Sequence, residues 1–515
     1  MSSALAAIDM GTNSFHMVIV EPTESGGFQM LTREKETVRL GSGAGDLETI
    51  TPEAMKRAID CLNRFNRIAK NRNASVRAVA TSAVREARNR DEFLKQVKKE
   101  TGLRVDVIQG NEEARLIYLG ILQALPVFDE RILLIDIGGG STEYLIGQGG
   151  VPEFATSLKL GAIRLTDRFF PDGQVSVSGI EDARYFLRLN LLGLKAEMPE
   201  NIPDTVIGSS GTARTLIELV QQHIRKGDGD ARDMSAQELD EVVELLLDCK
   251  NRKQRESKLG LDEKRSDIIV AGALLLQESF RILGIKTMVY SPFALREGVV
   301  FDSFHRNSRS KDLSGIRKNS VLQLARRMVP QEGPAQVCSS LSLIILDSLA
   351  AAGVFYAEEV EREVLEYAAL LHNCGIAIAH SAHHKHSHYI IQNSEMLLGF
   401  TGREIDVIAA IARYHRKALP SKKHSEYEDL NRYDRNLVKV LAGVLRISIG
   451  LSRGESGRVD DVKVKKQGKD LLFFIHPSQK LKPGDDLSLE EHGAVLRKDL
   501  LEQALERKID IRISE

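Results

Sequence analysis

Two segments of this 515-residue chain repeat one another. Ile8-Asp9-Met10-Gly11-Thr12-Asn13-Ser14 and, much later, Ile135-Asp136-Ile137-Gly138-Gly139-Gly140-Ser141 share one order: an apolar strand end, an aspartate and a Gly/Ser turn. Each then enters a second apolar stretch, Phe15–Val20 or Thr142–Ile146. Glycine at such a turn lets bare backbone N–H groups approach phosphate oxygens, and the aspartate can hold a hydrated Mg²⁺ or a water beside them. One copy alone would be ordinary hairpin chemistry. Two copies at domain spacing predict a duplicated αβ unit that grips a phosphate chain from both sides.

The chain is too long for one core, and three or four domains are expected. Hydrophobic residues at 42% and charged residues at 28% are ordinary for a globular protein, and the net charge is −1. Overall charge advertises no polyanion partner, so a site for one must come from local clustering, and no nucleic-acid partner is expected. The four cysteines (Cys61, Cys249, Cys338 and Cys374) never form a Cys-x-x-Cys pair, which argues against a zinc site or disulfide framework and for a reducing cytoplasm. No basic segment followed by an apolar stretch opens the sequence. The apolar run Leu341–Phe355 is broken by Asp347 and Ser348 and reads as a core helix, not as a transmembrane segment.

Strands and helices alternate up to Leu125. Strands are expected at Leu5–Ile8, Phe15–Val20, Phe28–Thr32, Thr37–Leu40, Val76–Ala80 and Val105–Ile108. Helices are expected from Pro52 with Thr51 as cap, at Arg90–Thr101 and at Asn111–Ala124. The order repeats from Ile132, with strands Ile132–Asp136, Glu143–Ile146, Phe154–Ser157 and Thr205–Ile207. The helices there are Ile163–Phe169, Ile180–Glu197 and Ala213–Ile224. Such alternation argues for α/β architecture with one sheet in each half and a cleft between them. Asn307–Ser314 reads as a polar linker. Beyond it Val321–Met328, Ala335–Ala352, Glu358–His372, Ile390–Leu398, Arg403–Tyr414 and Asn436–Leu451 have helical spacing. From Arg458 the alternation returns, with a helix at Ala494–Arg507 between strands. The domains expected are therefore 1–125, 126–306, 307–457 and 458–515.

Several groups could carry chemistry. Gly110-Asn111-Glu112-Glu113-Ala114-Arg115 sits at a strand-to-helix junction, where a cap and two acids in the first turn explain themselves by the helix dipole. Glu113, however, falls on the inward stripe with Leu116 and Ile117, where a carboxylate needs a reason to be. Ser141 and Glu143 are two apart on a strand and face one side, so Asp136, Ser141 and Glu143 could converge at the cleft mouth. Carboxylates facing a phosphate imply a cation, Mg²⁺. Arg85, after the strand Val76–Ala80, offers either a bidentate grip on phosphate or an ion pair with Glu86 or a neighbour. Eight of the 13 histidines (His372, His380, His383, His384, His386, His388, His415 and His424) cluster in the helical segment among Lys385, Arg413, Arg416, Lys417, Lys422 and Lys423. A polyanion track, a solvated basic face and a metal centre are the readings open, in that order.

Together these segments resemble the exopolyphosphatase/guanosine pentaphosphate phosphohydrolase family, itself related to the sugar-kinase, actin and heat-shock chaperone ATPases. The pieces that carry the resemblance are Ile8–Met17, Thr81–Ala87, Gln109–Gly120, Leu134–Glu143, Gly208–Ala213 and Ser291–Val299, joined by Ala368–Gly375 and Arg413–Lys417 in the helical segment. The resemblance implies two actin/sugar-kinase-like (ribonuclease H-like) α/β domains, an all-α HD-like domain and a small α+β C-terminal domain. It implies Mg²⁺-dependent release of orthophosphate from the end of inorganic polyphosphate, or removal of the terminal phosphate of guanosine pentaphosphate. A kinase or ATPase of the same superfamily and a non-enzymatic polyphosphate binder are the rival classes. By resemblance Glu113 is the catalytic carboxylate, and Asp136 and Glu143 position the metal. Gly138, Gly139, Gly140 and Ser141 form one phosphate loop; Ser209, Ser210, Gly211 and Thr212 form the other; Asn13, Ser14 and Arg85 face them. The HD-like domain departs from that fold's metal pattern, with His372-Asn373 where a His-Asp pair would stand and Ser448 in place of a late Asp, since Asn and Ser are poor ligands for a divalent ion. Polyphosphate binding along His384, Lys385, Arg413, Arg416 and Lys417, or homodimer formation, is expected of it instead.

Overall fold

A computed structural model describes residues 4–22, 28–41, 49–226, 232–307, 311–329, 333–394, 396–452, 457–479, 481 and 486–514. The chain divides into two compact units, parting between Ser310 and Lys311.

The first unit holds two sheets built on one plan. Strands β1 (Leu5–Met10), β2 (Ser14–Pro22), β3 (Phe28–Thr37), β4 (Ser75–Ala80) and β5 (Val105–Val107) lie in the order β3-β2-β1-β4-β5. The second sheet comprises β6 (Ile132–Ile137), β7 (Thr142–Gln148), β8 (Val151–Leu158), β9 (Thr205–Ser209), β10 (Asp233–Ser235) and β11 (Thr287–Tyr290) in the order β10-β11-β9-β6-β7-β8. β1 and β6 are equivalent: each pairs antiparallel with the strand after its turn and parallel with a later one. The two turns close alike, Gly11 N–H on Ser14 O at 3.2 Å and Gly138 N–H on Ser141 O at 2.9 Å. The repeat seen in the sequence is thus a structural repeat. β6 is buried on both faces, as strands covered by helices on either side must be.

Local signals account for many boundaries. Thr51 caps the Pro52–Asn71 helix by accepting from Ala54 N–H, and Asp262 caps Glu263–Leu283 by accepting from Lys264 and Arg265 N–H. The expected strand Thr37–Leu40 does not form. Val38 and Arg39 N–H turn instead onto Asn13 O (3.1 and 2.8 Å) and brace the first turn. Ser82–Glu86 forms a short helix after β4, and Ser210 opens a helix, Ser210–Leu219, at the point where a turn was expected.

Among the described residues the second unit packs six helices of ten residues or more, Lys311–Met328, Gly333–Ala351, Glu359–Leu371, His383–Asn393, Gly402–Arg413 and Arg432–Leu451, beside a sheet of β12 (Val459–Gln467), β13 (Asp470–Pro477) and β14 (Ile509–Ile513). The linker reading is corrected at one end: residues 311–314 belong to the first of these helices, while 308–310 lie outside the described residues. The helix expected at Ile390–Leu398 starts earlier, at His383, after Ala382 in a left-handed conformation (φ 56°). Ala494–Arg507 is two helices, Ser488–Val495 and Asp499–Leu505, parted where Leu496 is left exposed and Asp499 accepts from buried Arg446 at 3.2 Å. Gly333–Ala351 is long and apolar enough to cross a membrane by composition, but it buries Leu341, Ile345, Leu346 and Leu349 in the core of this unit.

Candidate active site

Between the two sheets of the first unit lies a cavity of about 530 Å³. Its floor is acidic: Asp9 at the end of β1, Asp136 at the end of β6 and Glu113 in the first turn of the Gly110–Ala124 helix. Both repeat turns line it, through Gly11–Ser14 and Gly138–Ser141, and Ser210–Thr212 adds a third wall. The halves close tightly there. A methyl group at Gly140 would sit 2.5 Å from Ser82 Oγ and 2.9 Å from Thr12 Oγ1, so only glycine admits this approach.

Burial dominates the electrostatics of the floor. Asp9 and Asp136 are both pushed up to about 7 by desolvation, with the charge of Glu113 adding to it, and Arg296 opposes the shift at Asp9. Glu113 is raised by burial against the pull of Arg85. Acids desolvated in this way must either bind protons or face a cation. The rest of the wall carries cations, Arg33, Lys35, Arg214 and Arg265, with Arg296 near Asp9. Lys35 is pushed down by burial and then by Arg265 and Arg296, the mark of like charges crowded together. A chain carrying negative charge, with its end at the acids, is what such a cavity complements.

Of the residues expected at the site, Glu113, Asp136, Asn13, Ser14, Gly138, Gly139, Gly140, Ser141, Ser210, Gly211 and Thr212 line this cavity. Three lie behind its wall. Arg85 Nη1 donates to Glu113 Oε2 at 2.9 Å and to Ile108 O at 3.0 Å, so it makes an ion pair with the site's carboxylate from behind the wall. Glu143 takes Ser141 Oγ and Ser157 Oγ on one oxygen, both at 2.7 Å, and so orients Ser141 from the rear. Ser209 Oγ donates to Asp136 Oδ2. Glu112 faces away: buried Arg115 takes both its oxygens at 2.7 Å and Asp302 Oδ1 at 2.7 Å. That network ties the Gly110–Ala124 helix to Leu295–Asn307, which approach so closely that a methyl group at Gly298 would meet Leu116 O at 1.7 Å.

Sequence reasoning missed His16, Arg33, Lys35, Arg214, Arg265 and Arg296. Arg33 and Lys35 alternate on β3 and so share a face, and that signal was available. His16 was available too: it opposes Asp9 in register as Glu143 opposes Asp136, the same place in the repeat.

The surface track is corrected in part. His384 and Arg413 are buried, Arg413 against Glu426 at 3.2 Å, while Lys385, Arg416 and Lys417 are exposed. Four of the histidines, His372, His383, His384 and His415, are buried where the helices meet. His383 Nε2 and His415 Nε2 are 3.1 Å apart, Arg416 donates to His383 Nδ1 at 3.2 Å, and burial holds His372 and His384 at about 4 and His415 well below the usual range. Among the described residues no three of His, Cys, Asp or Glu converge closely enough to hold a metal ion by themselves.

A duplicated hairpin turn with an aspartate on each side of one cleft, acids at its floor and cations at its rim, defines a phosphate-handling protein with mixed sheets flanked by helices. The Ppx/GppA phosphatase family model matches residues 18–307, and that for domain III of Ppx/GppA phosphatases matches residues 316–502; the chain belongs to this family. Among solved structures it is similar to an exopolyphosphatase from Cytophaga hutchinsonii, at 32% identity over 58% of this chain and 97% of that one, with TM-score 0.54. It is also similar to the Aquifex aeolicus Ppx/GppA family member (25%, 60% and 100%, TM-score 0.52). An exopolyphosphatase-like protein matches comparably (27%, 59% and 98%, TM-score 0.53).

Proposed function

We propose that this phosphatase is an exopolyphosphatase: it hydrolyses the terminal phosphate of inorganic polyphosphate with Mg²⁺ and releases orthophosphate. The observation that carries the reading is the make-up of the cavity, whose wall joins three acids, Asp9, Glu113 and Asp136, to a group of cations, Arg33, Lys35, Arg214 and Arg265. The terminal phosphoryl lies at the acids, cradled by the N–H groups of the paired turns, and the rest of the chain runs along the cations. Glu113 takes a proton from water as its oxygen attacks the terminal phosphorus, and the bridging oxygen leaves with the shortened chain. Arg85 opposes the rise that burial imposes on Glu113 and keeps its carboxylate aimed.

The donor set fits Mg²⁺. Asp9 and Asp136 are hard oxygen ligands whose pKa values are raised by desolvation and by neighbouring acids, and Mg²⁺ is commonly held by one or two carboxylates with phosphate oxygens and water. Such an ion would neutralise charge developing on the phosphoryl oxygens. Glu143 would support it indirectly through Ser141.

Hydrolysis of guanosine pentaphosphate is the second reading. Tyr290 in the wall favours it, since an aromatic face can stack on a base. We also place an HD-like helical domain at 307–457 and a small α+β domain at 458–515, after actin-like halves at 1–125 and 126–306. Lys385, Arg416 and Lys417 bind polyphosphate in this scheme, and the enzyme works as a cytoplasmic homodimer. Phosphate release from long polyphosphate, short polyphosphate, guanosine pentaphosphate and ATP, each with Mg²⁺ and with chelator, tests the proposal. Polyphosphate should be cleaved fastest and only with Mg²⁺; a preference for ATP or for guanosine pentaphosphate would overturn it.

A further inference from the structure

Ser291–Val299 contributes one side chain to the cavity that the scheme above leaves without a part, Arg296. It stands in the first turn of the Leu295–Asn307 helix and is 8% exposed. Burying a guanidinium costs several kcal/mol unless its charge is met, and here it is met only weakly. Glu297 Oε1 lies 3.4 Å from Arg296 Nη2 but makes no hydrogen bond, while Glu297 Oε2 is taken by Ala294 N–H at 3.0 Å. The short contact goes to a neutral group: Arg296 Nη1 donates to His16 Nδ1 at 2.8 Å. An arginine can only donate, so His16 accepts at Nδ1 and carries its proton on Nε2. Burial and four cations (Arg296, Lys35, Arg33 and Arg265) hold His16 at about 3, so it stays neutral at any working pH.

Position adds the rest. Arg296 is the cation that opposes the rise of Asp9 on the acid floor, and the same guanidinium touches His16, which feels Arg33, Lys35 and Arg265 of the basic rim. It therefore stands where floor and rim meet. In a chain bound with its terminal phosphoryl at Glu113, that is the place of the bridging oxygen. We propose that Arg296 is the cation that receives the charge developing on this leaving oxygen, and that His16 is its positioning residue, orienting the guanidinium without neutralising it. A carboxylate at residue 16 would aim the guanidinium equally well but cancel its charge and repel the phosphate. The first repeat thus carries histidine where the second carries Glu143. In the reaction the water oxygen bonds to phosphorus, its proton passes to Glu113 and the bridging oxygen departs with the P–O electron pair. Arg296 exchanges no proton. The inference rests on the phosphohydrolase reading of this cavity.

Two substitutions of equal size test it, His16→Asn and His16→Asp. Both present an oxygen where Nδ1 accepts; only the second adds charge. Melting temperatures and phosphate release at pH 8 are measured for both, with calorimetric binding of tripolyphosphate. His16→Asn, which keeps an acceptor but loses the ring, should lower kcat less than His16→Asp does. His16→Asp should lower kcat by about tenfold or more and weaken tripolyphosphate binding, although its melting temperature holds or rises. Arg296→Lys, which keeps the charge but loses the planar grip, should lower kcat more than it raises KM. Equal kcat in the Asn and Asp variants, or an Arg296→Lys enzyme with parental kcat, would overturn the inference. If the parent enzyme releases phosphate from none of the anhydrides above, the phosphohydrolase reading itself has failed.

Discussion

Acidification should weaken Mg²⁺ binding by an amount the floor acids set. Asp9 and Asp136 are pushed up to about 7 by burial and by neighbouring acids. A divalent ion takes carboxylates in ionised form, so each proton must leave before it binds. A group with pKa about 7 is roughly nine-tenths ionised at pH 8 and one-tenth at pH 6, which is about tenfold in apparent affinity, or ~1.4 kcal/mol. The two together give roughly a hundredfold between pH 8 and pH 6. The stability of the metal-free protein runs the other way. The unfolded acids titrate near 3.8, so between about 4 and 7 the metal-free folded state binds more protons and loses stability as pH rises. Metal-free protein should melt higher at pH 6 than at pH 8, and Mg²⁺ should raise the melting temperature more at pH 8. Calorimetric titration with Mg²⁺ at pH 7, in two buffers of different ionisation enthalpy, counts the protons directly. About one proton per ion is expected, half from each acid. A Kd constant from pH 6 to pH 8, with no proton released, would refute the reasoning.

Other consequences follow from packing and charge. Gly298→Ala drives a methyl group into the Leu116 carbonyl, so it should destabilise by about 1–3 kcal/mol or more and reduce turnover by shifting Glu113; unchanged melting would mean the helices part freely. Arg85→Met removes the cation that opposes the rise of Glu113, so the acid limb of kcat/KM should move to higher pH, with activity partly recovered in alkaline buffer; an unmoved limb would separate Arg85 from the base. Replacing Lys385, Arg416 and Lys417 together by Gln in the full chain should flatten the salt dependence of long-chain polyphosphate binding while sparing turnover of short chains. Binding with parental salt dependence would remove these residues from the polyphosphate path.

What the sequence revealed was mostly local. The paired turns, the Thr51 cap and inward-facing Glu113 announce themselves because each signal lies within a few residues. The break between the last two helices and the early start at His383 were not legible, since packing against distant helices decides them. At the site the same division holds. Asp136, Glu113 and the glycine turns could be read, but the partner of Arg85 could not be named, because nothing local says that it lies on another helix. Arg265 and Arg296 reach the cavity from helices far along the chain, and only the fold brings them to β3 and β1. The basic run around Arg413 misled for the converse reason: charge density in a sequence does not tell which cations are buried.

The most direct measurement of the central claim is single-turnover phosphate release by Glu113→Gln, with Kd for polyphosphate measured alongside. The substitution keeps size and most hydrogen bonding but removes the proton acceptor. Release should fall by ~10²-fold or more while Kd stays within about threefold. Glu112 offers no substitute base, because Arg115 holds both its oxygens. A folded Glu113→Gln enzyme that releases phosphate at close to the parental rate would contradict the account.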